Sequence, residues 1–539
     1  MYRRLYGEKS SHRDIASVVT EMGINHRERS QYDKAQICFD QVLAMYKDDN
    51  SLDPVVNLNT GNVLCHIGHV YRAQSNFEEA RDIYMRALET YRTAYNGEKH
   101  ESVAFVLLLI GDNLKSQHKY NVASDYYSQS LDMYRQIYAE MDSPKSLATA
   151  LNVQGEKYES MEMYGKAEEL FVEALNIYKA VYGENNESVA LTLRKIGHNF
   201  YAKKDYHTAD EYYRKAKSIY QRVHGRKSLD TGAAVTLRCL GLNCVERGDQ
   251  HLSEQYMLEA LDSFQRIYGD KTNNVDVAVT FNNLGVIYMQ KGNHTEAAVH
   301  FQNGLLMRFA LHGEHTNHLE TAHMLYNLGD NNIDLREYEL AEESLLKALA
   351  MYRAIYVRDG VKHDVAKALN TLGVNYTDWG YHEKAEPYYH EAILLRRELY
   401  EKECGNVLLA QAISNLGRNL QGQNNFKEAE KSFSESLAMY KDIYKNTPNI
   451  IISESYRDNG DNYHCMGKYE RAVDNYDRGL AALKHLANND NVTLLRADIL
   501  QCKGQSLTQM KQYNISEECL AEALHVYKTV LGEATAAKD

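Results

Sequence analysis

The chain has 539 residues, four prolines and a net charge of −13, with a quarter of its residues charged. That length exceeds one compact core, the scarcity of proline favours helices joined by short turns, and charge spread without long single-sign blocks argues against a duplex-binding face, so nucleic acid is not expected as a partner. The eight cysteines, at positions 38, 65, 239, 244, 404, 465, 502 and 519, form no Cys-x-x-Cys pair, as expected for reduced thiols in a cytoplasmic protein, and the longest apolar run, VAFVLLLI at 103 to 110, is far too short to span a bilayer.

Taken in chain order, the opening MYRRLYG has the wording of a helix end found again in LAMYRAIY (349 to 356), so residues 1–9 read as the end of a preceding repeat helix. A glycine then recurs at 23, 68, 111, 155, 197, 241, 285, 329, 373, 417, 460 and 504, with spacings of 42 to 45 residues. Twelve positions after it stands Ala35, Ala80, Ala123, Ala167, Ala209, Ser253, Ala297, Ala341, Ala385, Ala429, Ala472 or Ser516, and seven before it another small residue, from Ala16 to Ala497. The division is therefore repeats one to six over residues 10–272, repeats seven to twelve over 273–534, and a tail at 535–539. The last repeat closes at HVYKTVLGE (525 to 533), the same phase as the opening, so the sequence is expected to be, or to derive from, the array of a larger protein.

Within each unit, apolar residues recur at three and four, pause, and resume, as in VAVTFNNLGVIYMQKGNHTEAAVHFQNGLLMRFALHG (277 to 313). That pattern predicts a helix hairpin in which small residues let the helices touch while side chains at the phases of Tyr288 and Phe301 fill the space beside them. The expected fold is all-α, an α-α superhelix of about twelve helix-turn-helix repeats of about 44 residues. The pattern resembles the tetratricopeptide repeat (TPR), specifically the long variant of kinesin light chains and nephrocystin-3-like proteins. YHEKAEPYYHEAI (381 to 393) carries that wording, with Pro387 placed in the first turn of a second helix, and the linker wording survives as GEKHESVA (97 to 104), GENNESVA (183 to 190) and KHDVA (362 to 366). No heptad coiled coil for a motor heavy chain accompanies it. The resemblance implies a protein or peptide partner held by the solenoid.

Residues 66 to 69 spell His-Ile-Gly-His, the nucleotide-gripping signature of one class of aminoacyl-tRNA synthetases, but they fall on a repeat helix with Gly68 at the repeat's own phase and without the strand context that chemistry needs. Cys65, His66 and His69 are either groove side chains or the beginnings of a metal site, and HGEHTNH (312 to 318) poses the same choice on a linker. There is no Gly-x-x-x-x-Gly-Lys-Ser/Thr loop, no His-Glu-x-x-His and no Gly-x-Ser-x-Gly elbow. The expectation is no enzyme, no cofactor and no metal.

On the first helix of each repeat, the positions three and two before, and one and four after, the glycine share a face. Read along the chain, that face is first basic, with His69, Arg72, Lys115, Arg194, Lys195, His198 and Arg238. It then becomes carboxamide-rich, with Asn282, Asn283, Asn327, Asn370 and Asn415, followed by Arg418 and Gln421. Carboxamides suit the main chain of an extended peptide and cations suit acidic side chains, so the expected ligand is an extended acidic segment. Solvated helix charges and interhelix amide bonds are the competing readings of the same residues.

A second asparagine series stands two after the glycine (Asn25, Asn113, Asn199, Asn243, Asn331, Asn375, Asn419 and Asn462) and reads as a structural ladder where adjacent first helices meet. Tyrosine pairs such as Tyr91 with Tyr95, Tyr134 with Tyr138 and Tyr352 with Tyr356 read as stacks, with phosphorylation as the other possibility. Three functions are compatible with these features: an adaptor for an acidic segment, a ligand-sensing or autoinhibitory array of a multidomain nucleotide-switch protein, and a metal protein built on His66 and His69.

Overall fold

The computed structural model describes residues 13–29, 31–48, 54–225, 230–269, 273–314, 316–355, 363–400, 406–445, 447–484, 486 and 490–536. Residues 1–9, the end of the tail, Cys404, His315, Lys362 and Tyr356 therefore lie outside the described residues. The described residues form helices joined by short turns and links, and none of them forms a strand.

The chain forms two compact units, residues 1–272 and 273–539. The first holds α1 (Arg13–Glu28), α2 (Tyr32–Asp48), α3 (Pro54–Ala73), α4 (Phe77–Ala94), α5 (Glu101–Ser116), α6 (Tyr120–Glu140), α7 (Pro144–Glu159), α8 (Tyr164–Tyr182), α9 (Glu187–Ala202), α10 (Tyr206–His224), α11 (Thr231–Glu246) and α12 (Gln250–Tyr268). The second holds α13 (Val275–Gln290), α14 (His294–His312), α15 (Leu319–Asp334), α16 (Tyr338–Ile355), α17 (His363–Asp378), α18 (His382–Tyr400), α19 (Val407–Gly422), α20 (Phe426–Ile443), α21 (Ile450–Cys465), α22 (Tyr469–Leu483), α23 (Asp490–Gln509) and α24 (Tyr513–Ala536). Each odd helix pairs with the even helix after it. Within each unit the substantial next-but-one contacts all join odd helices, such as α7 with α9 and α17 with α19. The odd helices are thus crowded and the even ones splayed, which puts the odd helices on the inner side of each unit.

The repeat glycine sets the hairpin. A β-carbon on Gly68 would sit 2.3 Å from the Tyr84 ring, and on Gly155, Gly285 and Gly417 2.4, 2.5 and 2.7 Å from Phe171, Phe301 and Phe433. In each case the ring stands sixteen residues after the glycine and is fully buried. Leu345 and Met257 take the ring's place opposite Gly329 and Gly241. Burying one such ring contributes roughly 2–3 kcal/mol, and the glycine is what allows the two backbones close enough for it. The small residue twelve after the glycine is also buried, and where it is serine the hydroxyl donates to that glycine's carbonyl: Ser253 to Gly241 at 2.8 Å and Ser516 to Gly504 at 2.7 Å.

Turn geometry is equally regular. Seven residues after the glycine the backbone is left-handed at Ser75, His118, Glu162, Lys204, Gly248, Gly292, Arg336, Gly380, Asn424, Gly467 and Lys511, and two residues later the second helix begins. That rule puts the start of α18 at His382, so Pro387 lies in its second turn and not its first. Pro387 has no N–H for the carbonyl of Glu383, and it is exposed, where water can satisfy that carbonyl. Linker residues cap the next first helix: His100, Asn186, Asn274 and Asn449 each accept from the backbone N–H two residues on.

The asparagines two after the glycine do form a ladder, but to a different partner from the neighbouring first helix. Asn113, Asn199, Asn243, Asn331, Asn375, Asn419 and Asn462 each donate through Nδ2, at 2.8–3.1 Å, to the carbonyl of the first residue of the preceding second helix: Phe77, Tyr164, Tyr206, His294, Tyr338, His382 and Phe426. All seven are buried. Each rung ties one repeat to the one before it. The tyrosines Tyr91 with Tyr95 and Tyr134 with Tyr138 are stacked, with ring centroids 6.4 and 5.6 Å apart.

Candidate functional site

The inner face of the odd helices carries the positions singled out in the sequence, and their surroundings differ from one repeat to the next. At α3, His66 and His69 are part-buried. The His66 Nδ1 lies 3.1 Å from the Arg27 guanidinium and its ring stacks on Phe39, while the Tyr84 hydroxyl lies 3.1 Å from His69 Nδ1. Burial, together with Arg27, pushes His66 down to about 4; burial, with Arg72, Arg27 and His66, pushes His69 down to about 3. Cys65, pushed up to about 12 by burial, is equally far from a ligand thiolate. Among the described residues, the grouping of His, Cys, Asp and Glu atoms close enough for a cation is elsewhere, at Glu187, His224 and Asp230. There Asp230 is engaged in capping α11 and His224 pairs with Glu187 at 2.8 Å.

Two imidazoles neutral in the folded chain but titrating at the ordinary 6.5 once unfolded give a definite pH signature. Below that value the unfolded state binds protons the folded state does not, so their contribution is intact above about pH 6.5 and declines as the pH falls toward 4. The expected loss for the pair is roughly 2 kcal/mol at pH 5, allowing for partial exposure. Hydrogen exchange of α3 amides at pH 7 and pH 5 should register it, and His66→Phe with His69→Phe should flatten the dependence. Unchanged α3 protection would mean that neither ring is held neutral.

Between α3, α5 and α7 lies a hollow of about 410 Å³ lined by His69, Arg72, Asp112, Lys115 and Lys157. Asp112 is its fixed point. Its Oδ1 accepts from the Tyr127 hydroxyl at 2.8 Å, and its Oδ2 lies 2.9 Å from Lys157 Nζ and 3.6 Å from the Arg72 guanidinium. Lys115 donates to Ser160 Oγ at 3.0 Å. Burial, with Lys157 and Arg72 acting in the same direction against Asp112, draws Lys115 below the ordinary lysine range.

The later cations are differently placed. Lys195 pairs with Glu156 and His198 with Glu159, each at 2.6 Å, and the Glu159 hydrogen bond raises His198. Arg194 turns toward Tyr220 and Cys239, and Arg238 lies over the Phe264 ring at 5.3 Å. In the second unit, Arg418 reaches Asp458 through two nitrogens at 3.1 and 2.8 Å, and Gln421 lies 3.7 Å from Cys465 Sγ.

The carboxamides pair across neighbouring first helices. Asn327 donates to Asn282 at 3.1 Å and Asn415 to Asn370 at 3.2 Å, and Tyr326 with Thr371 makes the same rung at 2.9 Å. Asn282, Asn283 and Asn327 stay part-exposed, whereas Asn370 and Asn415 are each only 8% exposed. Acids also enter this face: Asp330 and Asp461 stand one after the glycine, and burial raises both carboxyls.

Periodicity of the cations and amides alone misses Lys157 and the acids Asp112, Glu156, Glu159 and Asp458. Lys157 carries a signal, because it stands two after Gly155 where most repeats keep the ladder asparagine.

Stacked hairpins with an open inner wall define a helical-repeat solenoid. Tetratricopeptide repeat profiles match residues 59–136, 146–222, 188–266, 276–354 and 362–442, and again 496–536. The chain belongs to the tetratricopeptide repeat family. No curated protein sequence matches it. Among solved structures it is similar to BtubC (BKLC) from P. vanneervenii, at 19% identity and TM-score 0.35 over 46% of this chain and 94% of that one. It is also similar to a Rap protein complexed with competence and sporulation factor (14%, TM-score 0.41, 64% and 99%) and to a tetratricopeptide repeat protein from Parabacteroides merdae (18%, 0.34, 54% and 98%).

Proposed function

We propose that this protein is a non-enzymatic scaffold of the long-repeat subtype whose inner helix face holds an extended, acidic segment of a partner protein. The observation that carries this reading is the imbalance at α3, α5 and α7, where Arg72, Lys115 and Lys157 face a single carboxylate, Asp112. Cations held together on the first helices of three successive repeats attract acidic side chains without reorganising. Asn282, Asn283 and Asn327 add main-chain contacts in the second unit, since the Asn282–Asn327 bond leaves each amide with unused capacity. Asn370 and Asn415, spent on each other and buried, support the wall behind. Asp330 and Asp461 on the second unit's face concentrate the preference for acid in the first unit. Free thiols at the described cysteines, and no described helix long and apolar enough to cross a membrane, accord with a cytoplasmic setting.

The test is capture of a degenerate library of short acidic peptides by the immobilised full chain. Arg72→Glu with Lys115→Glu should weaken capture by about tenfold or more. Arg194→Glu with Lys195→Glu should do less, because Lys195 is already neutralised by Glu156. Equal capture by wild type and the Arg72/Lys115 variant would refute the assignment.

A further inference from the structure

We infer that the hollow between α3, α5 and α7 receives a phosphomonoester carried on the bound segment, a refinement that rests on the peptide-binding reading above. The argument begins with charge. Arg72, Lys115 and Lys157 against Asp112 leave two surplus positive charges around about 410 Å³ of open space. A phosphoserine or phosphothreonine brings close to two negative charges and three acceptor oxygens at neutral pH, whereas a glutamate brings one charge and two oxygens. Elsewhere on the inner face Lys195 pairs with Glu156, His198 with Glu159, and Arg418 and Arg457 with Asp458 and Asp498, while Arg194 turns toward Tyr220 and Cys239 and Arg238 lies over the Phe264 ring.

Geometry makes the same distinction. The Asp112 side chain, only 10% exposed and anchored by the Tyr127 hydroxyl, gathers Arg72 and Lys157 at one of its oxygens. Those two heads are therefore fixed side by side while remaining 28% and 25% exposed. Lys115 enters from the helix between them, held at Ser160 Oγ and not at a carboxylate. Three donors on the first helices of three consecutive repeats thus converge on one recess with only one acid among them, and that acid's oxygens are already engaged. His69, on the rim, is held neutral by burial and neighbouring cations, so it offers a hydrogen bond without adding charge. Burial, with Lys157 and Arg72 acting against Asp112, also holds Lys115 below the ordinary lysine range, and a dianion in the recess would counter that.

The experiment uses the full chain and three peptide libraries of one acidic degenerate design, with a fixed central phosphoserine, glutamate or serine. Retention of the phosphoserine library should exceed that of the glutamate library by about tenfold. Lys115→Met and Arg72→Met should each abolish that preference, lowering phosphoserine-library retention more steeply than glutamate-library retention. Lys195→Met should leave the preference intact, and matched thermal melts should show that all three variants fold. Equal retention of the phosphoserine and glutamate libraries, or a preference that survives both substitutions, overturns the phosphomonoester assignment while leaving the peptide reading standing. Retention of none of the libraries sinks the peptide reading itself. Inorganic phosphate is run alone by phosphorus NMR line broadening; binding as tight as that of the phosphoserine library would assign the recess to the free ion and overturn the peptide-borne form.

Discussion

Gly68→Ala should destabilise its hairpin by about 2–3 kcal/mol, while Gly165→Ala, the same substitution about one hundred residues away, should stabilise the protein by about 0.5–1 kcal/mol. At Gly68 the added methyl meets the Tyr84 ring at 2.3 Å, and that ring is fully buried against its neighbours, so it cannot swing clear. Overpacking of this kind forces an off-rotamer ring or pushes the two helices apart. Gly165 lies in the first turn of α8, where an added methyl would meet nothing within 4 Å, so only the backbone-entropy gain remains. Paired thermal or denaturant melts measure both. No loss at Gly68, or a loss as large at Gly165, would show that close approach of the helices does not govern the glycine series.

The second large effect concerns the asparagine ladder. Asn331→Ala should cost about 2–3 kcal/mol, because it strips a donor from the His294 carbonyl and also removes Asn331 Oδ1, 3.1 Å from the His294 ring, leaving that ring nitrogen only the Asp334 carboxylate at 3.5 Å. Asn243→Ala removes one bond, to the Tyr206 carbonyl, and should cost about 1 kcal/mol. Asn25→Ala, at the same phase but exposed, should change stability by less than about 0.5 kcal/mol. Hydrogen exchange should show the Asn331 loss at the α14–α15 junction, where the bond lies. Equal costs at the three positions would mean that residue type, not burial and partner, governs the series.

Most of the hairpin architecture is legible in the sequence because close contact between helices leaves few choices: glycine where a ring must lie against the backbone, and alanine or serine twelve residues on. The start of the second helix is less legible. It is fixed by a left-handed residue seven after the glycine, and that place is filled by Ser75, Glu162 or Lys204 as readily as by glycine, so composition hides it. Pro387 falls one turn later than its pattern suggests for this reason. The ladder asparagines are structural, as their phase implies, but their partner is a main-chain carbonyl, which no side-chain pattern announces.

For the site, the periodic frame locates the cations, yet not their states. Lys195, His198 and Arg418 look alike in the sequence to Arg72 and Lys115; what separates them is that each meets an acid on the neighbouring first helix, Glu156, Glu159 and Asp458, 39 or 40 residues away, whereas Arg72 shares its acid, Asp112, with Lys157, and Lys115 rests on Ser160. Acids and bases placed in one frame expose these pairs, and with them the place where no second acid answers.

The glycine–ring contacts join residues sixteen apart, the ladder rungs join residues 35 to 37 apart, and the wall pairs join residues 45 apart. None of these bonds asks distant parts of the chain to find one another. Such a molecule has little loop-closure entropy to overcome, so order can start in any hairpin and spread to its neighbours as the chain leaves the ribosome.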